Sequence, residues 1–96
     1  MNFEWDEIKE QLNIAKHSVD FTEAKSVFAD EYGLVVFDKE HSTDEERFYL
    51  LGISDKERIL LVVHCYREGD VIRIISARKA TTKEKNKYKE QKWKKK

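Results

Sequence analysis

The sequence predicts an α+β fold: two N-terminal helices packed on a four-stranded antiparallel sheet, followed by a basic C-terminal helix. Three observations predict it. Apolar residues recur at spacings of three and four in the first third of the chain, the period of a helix with one apolar side. From Leu34 onward the apolar runs become short and rich in Val, Ile, Leu, Phe and Tyr, with polar stretches between them, as in strands joined by turns. The last sixteen residues open with a capping box and then turn lysine-rich.

The elements follow in order. Trp5, Ile8, Leu12 and Ala15 mark an amphipathic helix with Asp6 as its N-cap, ending near Lys16 and His17. A second helix starts after Asp20, with Glu23 in capping-box spacing; Phe21, Ala24, Val27 and Phe28 share one side of it, and Gly33 stops it. Residues 34–37, 47–53, 59–67 and 71–78 read as four strands. Ser54-Asp55-Lys56-Glu57 and Glu68-Gly69-Asp70 are short enough for hairpin turns, so the last three strands form an antiparallel meander, while residues 41–46 make a longer polar loop. Thr81-Thr82-Lys83-Glu84 caps a third helix whose apolar content is chiefly Tyr88 and Trp93. Lys83 and Lys87 repel one turn apart, so residues 89–96 form a lysine-rich tail whose last residues fray.

A chain of 96 residues holds one domain, here expected over residues 1–96. Its longest apolar run, residues 59–63, is too short for a membrane-spanning helix. Acids near the N-terminus occupy the place of a secretory signal's basic region, and the only cysteine, Cys65, has no intrachain partner; both point to the cytoplasm. The net charge of zero hides a division. Residues 1–80 carry 11 basic against 17 acidic side chains, and residues 81–96 carry 8 against 2. A basic tail suits a polyanionic or acidic partner, and equally suits the C-terminal end of a helix dipole.

The three histidines, His17, His41 and His64, are too far apart in sequence to make a zinc motif, and no glycine-rich phosphate loop or nucleophile elbow occurs. No metal site and no cofactor are therefore expected. His64 and Cys65, adjacent in a strand, point to opposite faces and cannot pair as base and nucleophile. What remains is a concentration of polar groups on the predicted sheet: Arg47, Tyr49, His64, Tyr66, Arg67, Arg73, Ser76 and Arg78. Singly, each could reach solvent or pair with an acid such as Glu45, Glu46, Glu68 or Asp70. Together, guanidinium groups grip phosphates through paired donors and aromatic rings stack on unpaired bases, which makes RNA a candidate ligand. Strict alternation sends Arg73 to one face of its strand and Ser76 and Arg78 to the other. The arginines converge only if a bulge shifts the register, or if Arg78 lies beyond the strand end.

An ordered set of segments resembles the BrnT family of bacterial type II toxins. It runs from Phe3-Glu4-Trp5-Asp6 through Lys16-His17-Ser18-Val19, Phe21 and Val27-Phe28-Ala29-Asp30 to Asp38, His41 and Glu45-Glu46-Arg47-Phe48. It ends with Ile72-Arg73-Ile74-Ile75-Ser76-Ala77-Arg78-Lys79-Ala80-Thr81, and the whole match reaches about Tyr88. The resemblance implies a RelE-like fold and an endoribonuclease that arrests translation and growth. It also implies neutralisation by a BrnA-type antitoxin whose ribbon-helix-helix part binds DNA, so that the toxin meets DNA only indirectly. Lys16, His17, Arg47, Arg73, Ser76 and Arg78 fall on motif positions. Ser18 departs from the family's usual glycine, and because serine adopts left-handed backbone less readily, the turn between the two helices should be rebuilt.

RNA cleavage without a metal needs a base for the 2′-hydroxyl proton, positive charge on the phosphate and an acid for the departing 5′-oxygen. Arg73 and Arg78, supported by Arg47, are the candidates for gripping the phosphate, and His64, ordinarily titrating near pH ~6.5, is the candidate base or acid. A histidine flanked, as His64 is, by Val63 and Cys65 is more often a hydrogen-bonded core residue than a catalytic one. Ser76 and Tyr88 are candidate RNA contacts, with Tyr88 alternatively an anchor of the third helix. The competing reading of the whole chain is a non-catalytic RNA- or protein-binding module that uses the sheet face and the basic tail.

Overall fold

The computed structural model of the chain describes residues 1–94 and begins with a strand, β1 (Asn2–Glu4). Two helices follow, α1 (Glu7–His17) and α2 (Phe21–Ser26), the second ending in a 3₁₀ turn over Val27–Ala29. Then come β2 (Leu34–Phe37), β3 (Phe48–Ile53), β4 (Ile59–Arg67), β5 (Val71–Lys79) and α3 (Thr82–Lys94). The sheet order is β1-β5-β4-β3-β2. Strands β2 to β5 run antiparallel to their neighbours, and β1 lies parallel to β5 with Glu4 opposite Arg73.

This corrects the expected four-stranded antiparallel sheet led by two helices. The sheet has five strands and is mixed, and a strand precedes the helices. Three residues are too few to show a period, and β1 takes its bonding from β5, nearly seventy residues on, so no local pattern announces it.

Neighbouring residues of β3 and β4 separate onto the two faces. Leu50, Leu60 and Val62 join Val19, Phe21, Ala24, Val27, Ile74 and Ala77 in the core under α1 and α2. Leu51 and Leu61 join Ala80 and Tyr88 beneath α3. At ~1.5 to 3 kcal/mol for each large side chain fully withdrawn from water, the first cluster is the main source of stability. On the second face, Tyr88 donates its hydroxyl to Asp30 Oδ2 at 2.6 Å, and Asp30 also accepts the Ile53 and Tyr32 amides. This hub pins α3 to the sheet. Burial pushes the Asp30 carboxyl up, but those hydrogen bonds outweigh it and hold the group below its ordinary value.

Helix α1 packs in an unexpected orientation. Ile8 and Leu12, in its apolar stripe, are 74% and 65% exposed, while Asn13 is buried and Glu10 and His17 are half-buried. Polar bonds tether it, among them Glu10 accepting the Phe21 amide at 2.9 Å. The turn that follows is not rebuilt around Ser18. The serine itself adopts the left-handed conformation, with φ 58° and ψ 34°, and its amide donates to the Ile14 carbonyl at 2.8 Å. Helix α3 continues through the lysine-rich segment to Lys94; residues 95 and 96, where fraying was expected, lie outside the described residues.

Candidate functional site

Strand β5 is irregular at one point. Val63 pairs with Ser76 but His64 pairs with Ile74, so Ile75 has no partner and the register slips by one residue. Ile74 and Ala77 both face the core under α1 and α2. Alternation outward from them puts Arg73 on the far face on one side of the bulge, and Ser76 and Arg78 on that same face on the other. The bulge thus brings to one face arginines that strict alternation would separate.

Sharing a face does not put them in one site. A cleft of about 600 Å³ opens on this face, floored by Tyr49, Leu61, Val63 and Ser76, with Arg47, Arg78, Glu84 and the loop from Asp38 to His41 around it. Arg73 is not among its lining residues. Its partner on β4, Cys65, is four residues from Leu61, the partner of Arg78, which separates the two arginines by roughly 13 Å at ~3.3 Å per residue, and Arg73 Nη1 donates to Glu4 Oε2 at 2.6 Å across the β1–β5 edge. The structure therefore does not bring Arg73 into the cleft with Arg78; the arginine that lines it beside Arg78 is Arg47.

Each of these arginines has an acid beside it. Arg78 donates both arms of its fork to Glu84, Nη1 to Oε1 at 2.8 Å and Nη2 to Oε2 at 3.0 Å. Glu84 Oε1 also accepts the Thr81 amide at 2.8 Å, and Thr81 Oγ1 accepts the Glu84 amide at 3.2 Å, which completes the capping box that begins α3. Arg78 and the Thr81 bonds pull the Glu84 carboxyl down to about 2 against the cost of burial. Arg47 is held loosely, with Nε 3.8 Å from Glu45. Among the described residues, Arg47 Nε is the buried side-chain nitrogen left without a hydrogen-bond partner.

The loop supplies a group that the sequence reading passed over. His41 Nδ1 lies 2.9 and 3.1 Å from the two oxygens of Asp38, and its ring is largely exposed at the cleft. With Nδ1–H donated to Asp38, Nε2 becomes the ring's acceptor. Ser42 fixes the loop by donating to the Asp38 carbonyl and accepting the Arg47 amide, so the histidine and the arginine are braced by one turn. The available signal was an aspartate three residues before a histidine in a polar loop, upstream of an arginine-led strand.

Two other predicted site residues lie away from the cleft. His64 is fully buried on the opposite face, its ring within 4.9 to 6.2 Å of the Phe28, Tyr66 and Phe48 ring centres. Its Nδ1 is 3.2 Å from the Val62 carbonyl and its Nε2 3.3 Å from the Tyr66 hydroxyl; burial pushes its pKa down, so it stays neutral. The sheet stands between it and Arg78. Tyr88 is buried in the α3 core with its hydroxyl committed to Asp30, so its ring is not open to a base. Among the described residues no three His, Cys, Asp or Glu side chains gather in a way that could hold a metal ion, and no helix is long and apolar enough to cross a membrane.

Comparison with known proteins places this arrangement in a family. The family model for the ribonuclease toxin BrnT of type II toxin-antitoxin systems matches residues 5–84, from α1 to Glu84 in the cleft. Among solved structures, the 1.1 Å crystal structure of the Brucella abortus ribonuclease toxin BrnT is similar, with a TM-score of 0.66 and 26% identity over 85% of this chain and 99% of that one. No curated protein matches. With more than four-fifths of its length under the family model and its cleft wholly inside the match, this chain belongs to the BrnT family of type II toxin-antitoxin ribonuclease toxins.

Proposed function

We propose that this protein is a metal-independent endoribonuclease toxin that acts at the cleft between β5, the Asp38–Arg47 loop and Glu84, and that a BrnA-type antitoxin neutralises it. Membership of the family implies an RNA substrate and an antitoxin partner. The observation that carries the reading is the lining of a single cleft by Arg47, Ser76, Arg78 and the Asp38–His41 pair.

The chemistry follows from those groups. A ribose 2′-hydroxyl gives up its proton to a base and attacks the adjacent phosphorus; the bond to the 5′-oxygen breaks, that oxygen takes a proton, and a 2′,3′-cyclic phosphate remains. Arg78 and Arg47 supply positive charge where the five-coordinate phosphorane gathers negative charge, the role in which preorganised donors contribute most. Ser76 donates to a phosphate oxygen. His41, oriented by Asp38, is the proton carrier, since imidazole is the side chain that exchanges protons nearest neutrality. Glu84 occupies the fork of Arg78 until RNA arrives. A partly exposed ion pair of this kind is worth only ~0 to 1 kcal/mol net, so a phosphate that also engages Arg47 can displace or share it. Arg73, outside the cleft on the same face, contacts the RNA backbone further along.

The antitoxin covers the cleft with acids that stand in for phosphates, and its ribbon-helix-helix part supplies the only contact with DNA. Expression without it arrests translation and growth. A second reading, a non-catalytic binding module, draws support from the carboxylate beside each arginine. One assay separates the two readings. Purified protein, in excess chelator, is expected to cut single-stranded RNA to 2′,3′-cyclic ends, with Arg78→Ala and His41→Ala each slower by at least ~10²-fold. Binding that weakens steeply with salt but yields no cleavage would establish the binding module instead.

A further inference from the structure

Along the outer edge of β5, β1 reaches only as far as Arg73, so among the described residues the edge beyond has no strand neighbour. At Ala77 a side chain takes that place. Asn13, buried on α1, accepts the Ala77 amide through Oδ1 at 3.0 Å and donates from Nδ2 to the Ala77 carbonyl at 2.8 Å, the two bonds a strand residue would have made. The second Nδ2 hydrogen goes to the Val19 carbonyl at 2.9 Å. Both donors and the acceptor of this amide are therefore used, and one side chain joins β5, α1 and the entry to α2. Burying a carboxamide is costly unless each polar atom finds a partner, and here each does.

The location matters more than the bond count. Ala77 stands between Ser76 and Arg78, two residues after the unpaired Ile75. A bulge interrupts the ladder, and a slip of one residue there would turn Ser76 and Arg78 inward and Ala77 outward. We propose that Asn13 is a positioning residue for RNA cleavage: by clamping Ala77 toward the helix-covered face, it holds Ser76 and Arg78 in the cleft. The proposal rests on the reading of that cleft as the cleavage site. It also accounts for the orientation of α1, which turns Asn13 toward the sheet while Ile8 and Leu12 face solvent.

Two variants test it. Asn13→Asp keeps the size but sets oxygens against two carbonyls, and Asn13→Gln keeps the amide but displaces it by a methylene. Whichever folds is expected to lose ~10- to 100-fold in single-turnover cleavage, the scale of an ångström-level misplacement. Combined with Arg78→Ala, the same change should cost less than it does alone, because the Arg78 part of what it protects is already gone and only the Ser76 part remains. Penalties that multiply in the double variant, or an undiminished rate in the single one, would overturn the proposal. In the unsubstituted protein the Ala77 amide should exchange with solvent as slowly as amides inside the β3–β4 ladder; exchange at the rate of an open strand edge would also overturn it. If Arg78→Ala leaves cleavage intact, the cleavage-site reading fails, and the Ala77 amide still reports whether the clamp exists.

Discussion

The two faces of the sheet carry the same kinds of side chain and put them to opposite uses. Under α1 and α2, a histidine is sealed among aromatic rings and an arginine, Arg58, closes over Glu23, whose side chain is 1% exposed. Across the sheet, a histidine stands in the open beside Asp38, and Arg78 pairs with a carboxylate that water can reach. Residue type does not distinguish the structural set from the chemical set; burial does. A charge withdrawn from water must keep its partner, whereas one at a cleft can exchange its partner for a ligand.

The largest expected effect tests that rule directly. Glu23 accepts from Arg58 Nε at 2.9 Å and from Ser54 Oγ at 2.7 Å, and the Arg58 and Ser54 bonds hold it below the ordinary carboxylate range despite burial. Arg58→Ala leaves that acid unpaired and is expected to cost ~3 to 5 kcal/mol in urea denaturation. Arg73→Ala, which breaks the more open pair with Glu4, should cost ~1 kcal/mol or less. Equal costs would erase the distinction between the faces.

Next in size is the effect on chemistry. Arg78→Ala should slow RNA cleavage by ~10²-fold, equivalent to ~2.7 kcal/mol of transition-state stabilisation. His64→Leu, in protein shown to be folded, should change the rate by less than ~3-fold, since the sheet separates it from the cleft. A large loss in the His64 variant with folding intact would return that residue to the mechanism.

The same pair of faces should titrate in different ranges. The folded state lowers the pKa of His64 through burial, so the unfolded chain binds the proton more readily. Stability contributed by the neutral ring is complete above the unfolded value of ~6.5 and declines as pH falls below it, by up to ~1.4 kcal/mol per pH unit. Glu84 is depressed to about 2 by Arg78. Its contribution is complete above the unfolded carboxylate value of ~4.3 and is lost only as pH falls from there toward 2. Denaturation at a series of pH values should show the upper range vanish in His64→Leu and the lower one shrink in Glu84→Gln.

The division between faces also explains what was legible in the sequence. The runs that became β2 to β5 announce themselves because their period is local, and Glu84 was already legible as the cap of α3. Arg47, Ser76 and Arg78 stood out as polar residues in strands that had no structural need of them. Arg73 stood out for the same reason, but its partner Glu4 lies on a strand too short to show a pattern. His64 and His41 could not be ranked from sequence, because that ranking is a matter of burial, and burial depends on where Phe28 and Phe48 end up in three dimensions. Helix α1 inverted the usual inference: its periodic apolar residues face water because the tie to β5 is made by an amide.

The smallest predicted effect asks whether the helix-covered face can be relaxed without touching the cleft. Ser18 is an exposed residue at φ 58°, in a region where a side chain costs ~1 kcal/mol and glycine almost nothing. Its carbonyl accepts from Arg58 Nη2 at 3.1 Å, a backbone contact that the substitution preserves. Ser18→Gly therefore removes strain while keeping every bond of the turn, although it adds some freedom to the unfolded chain. A net gain of ~0.5 kcal/mol is expected in urea denaturation, with the cleavage rate unchanged. A gain accompanied by altered cleavage would show that strain in this turn reaches β5, and the shortest route for it is the Val19 carbonyl, which binds Asn13.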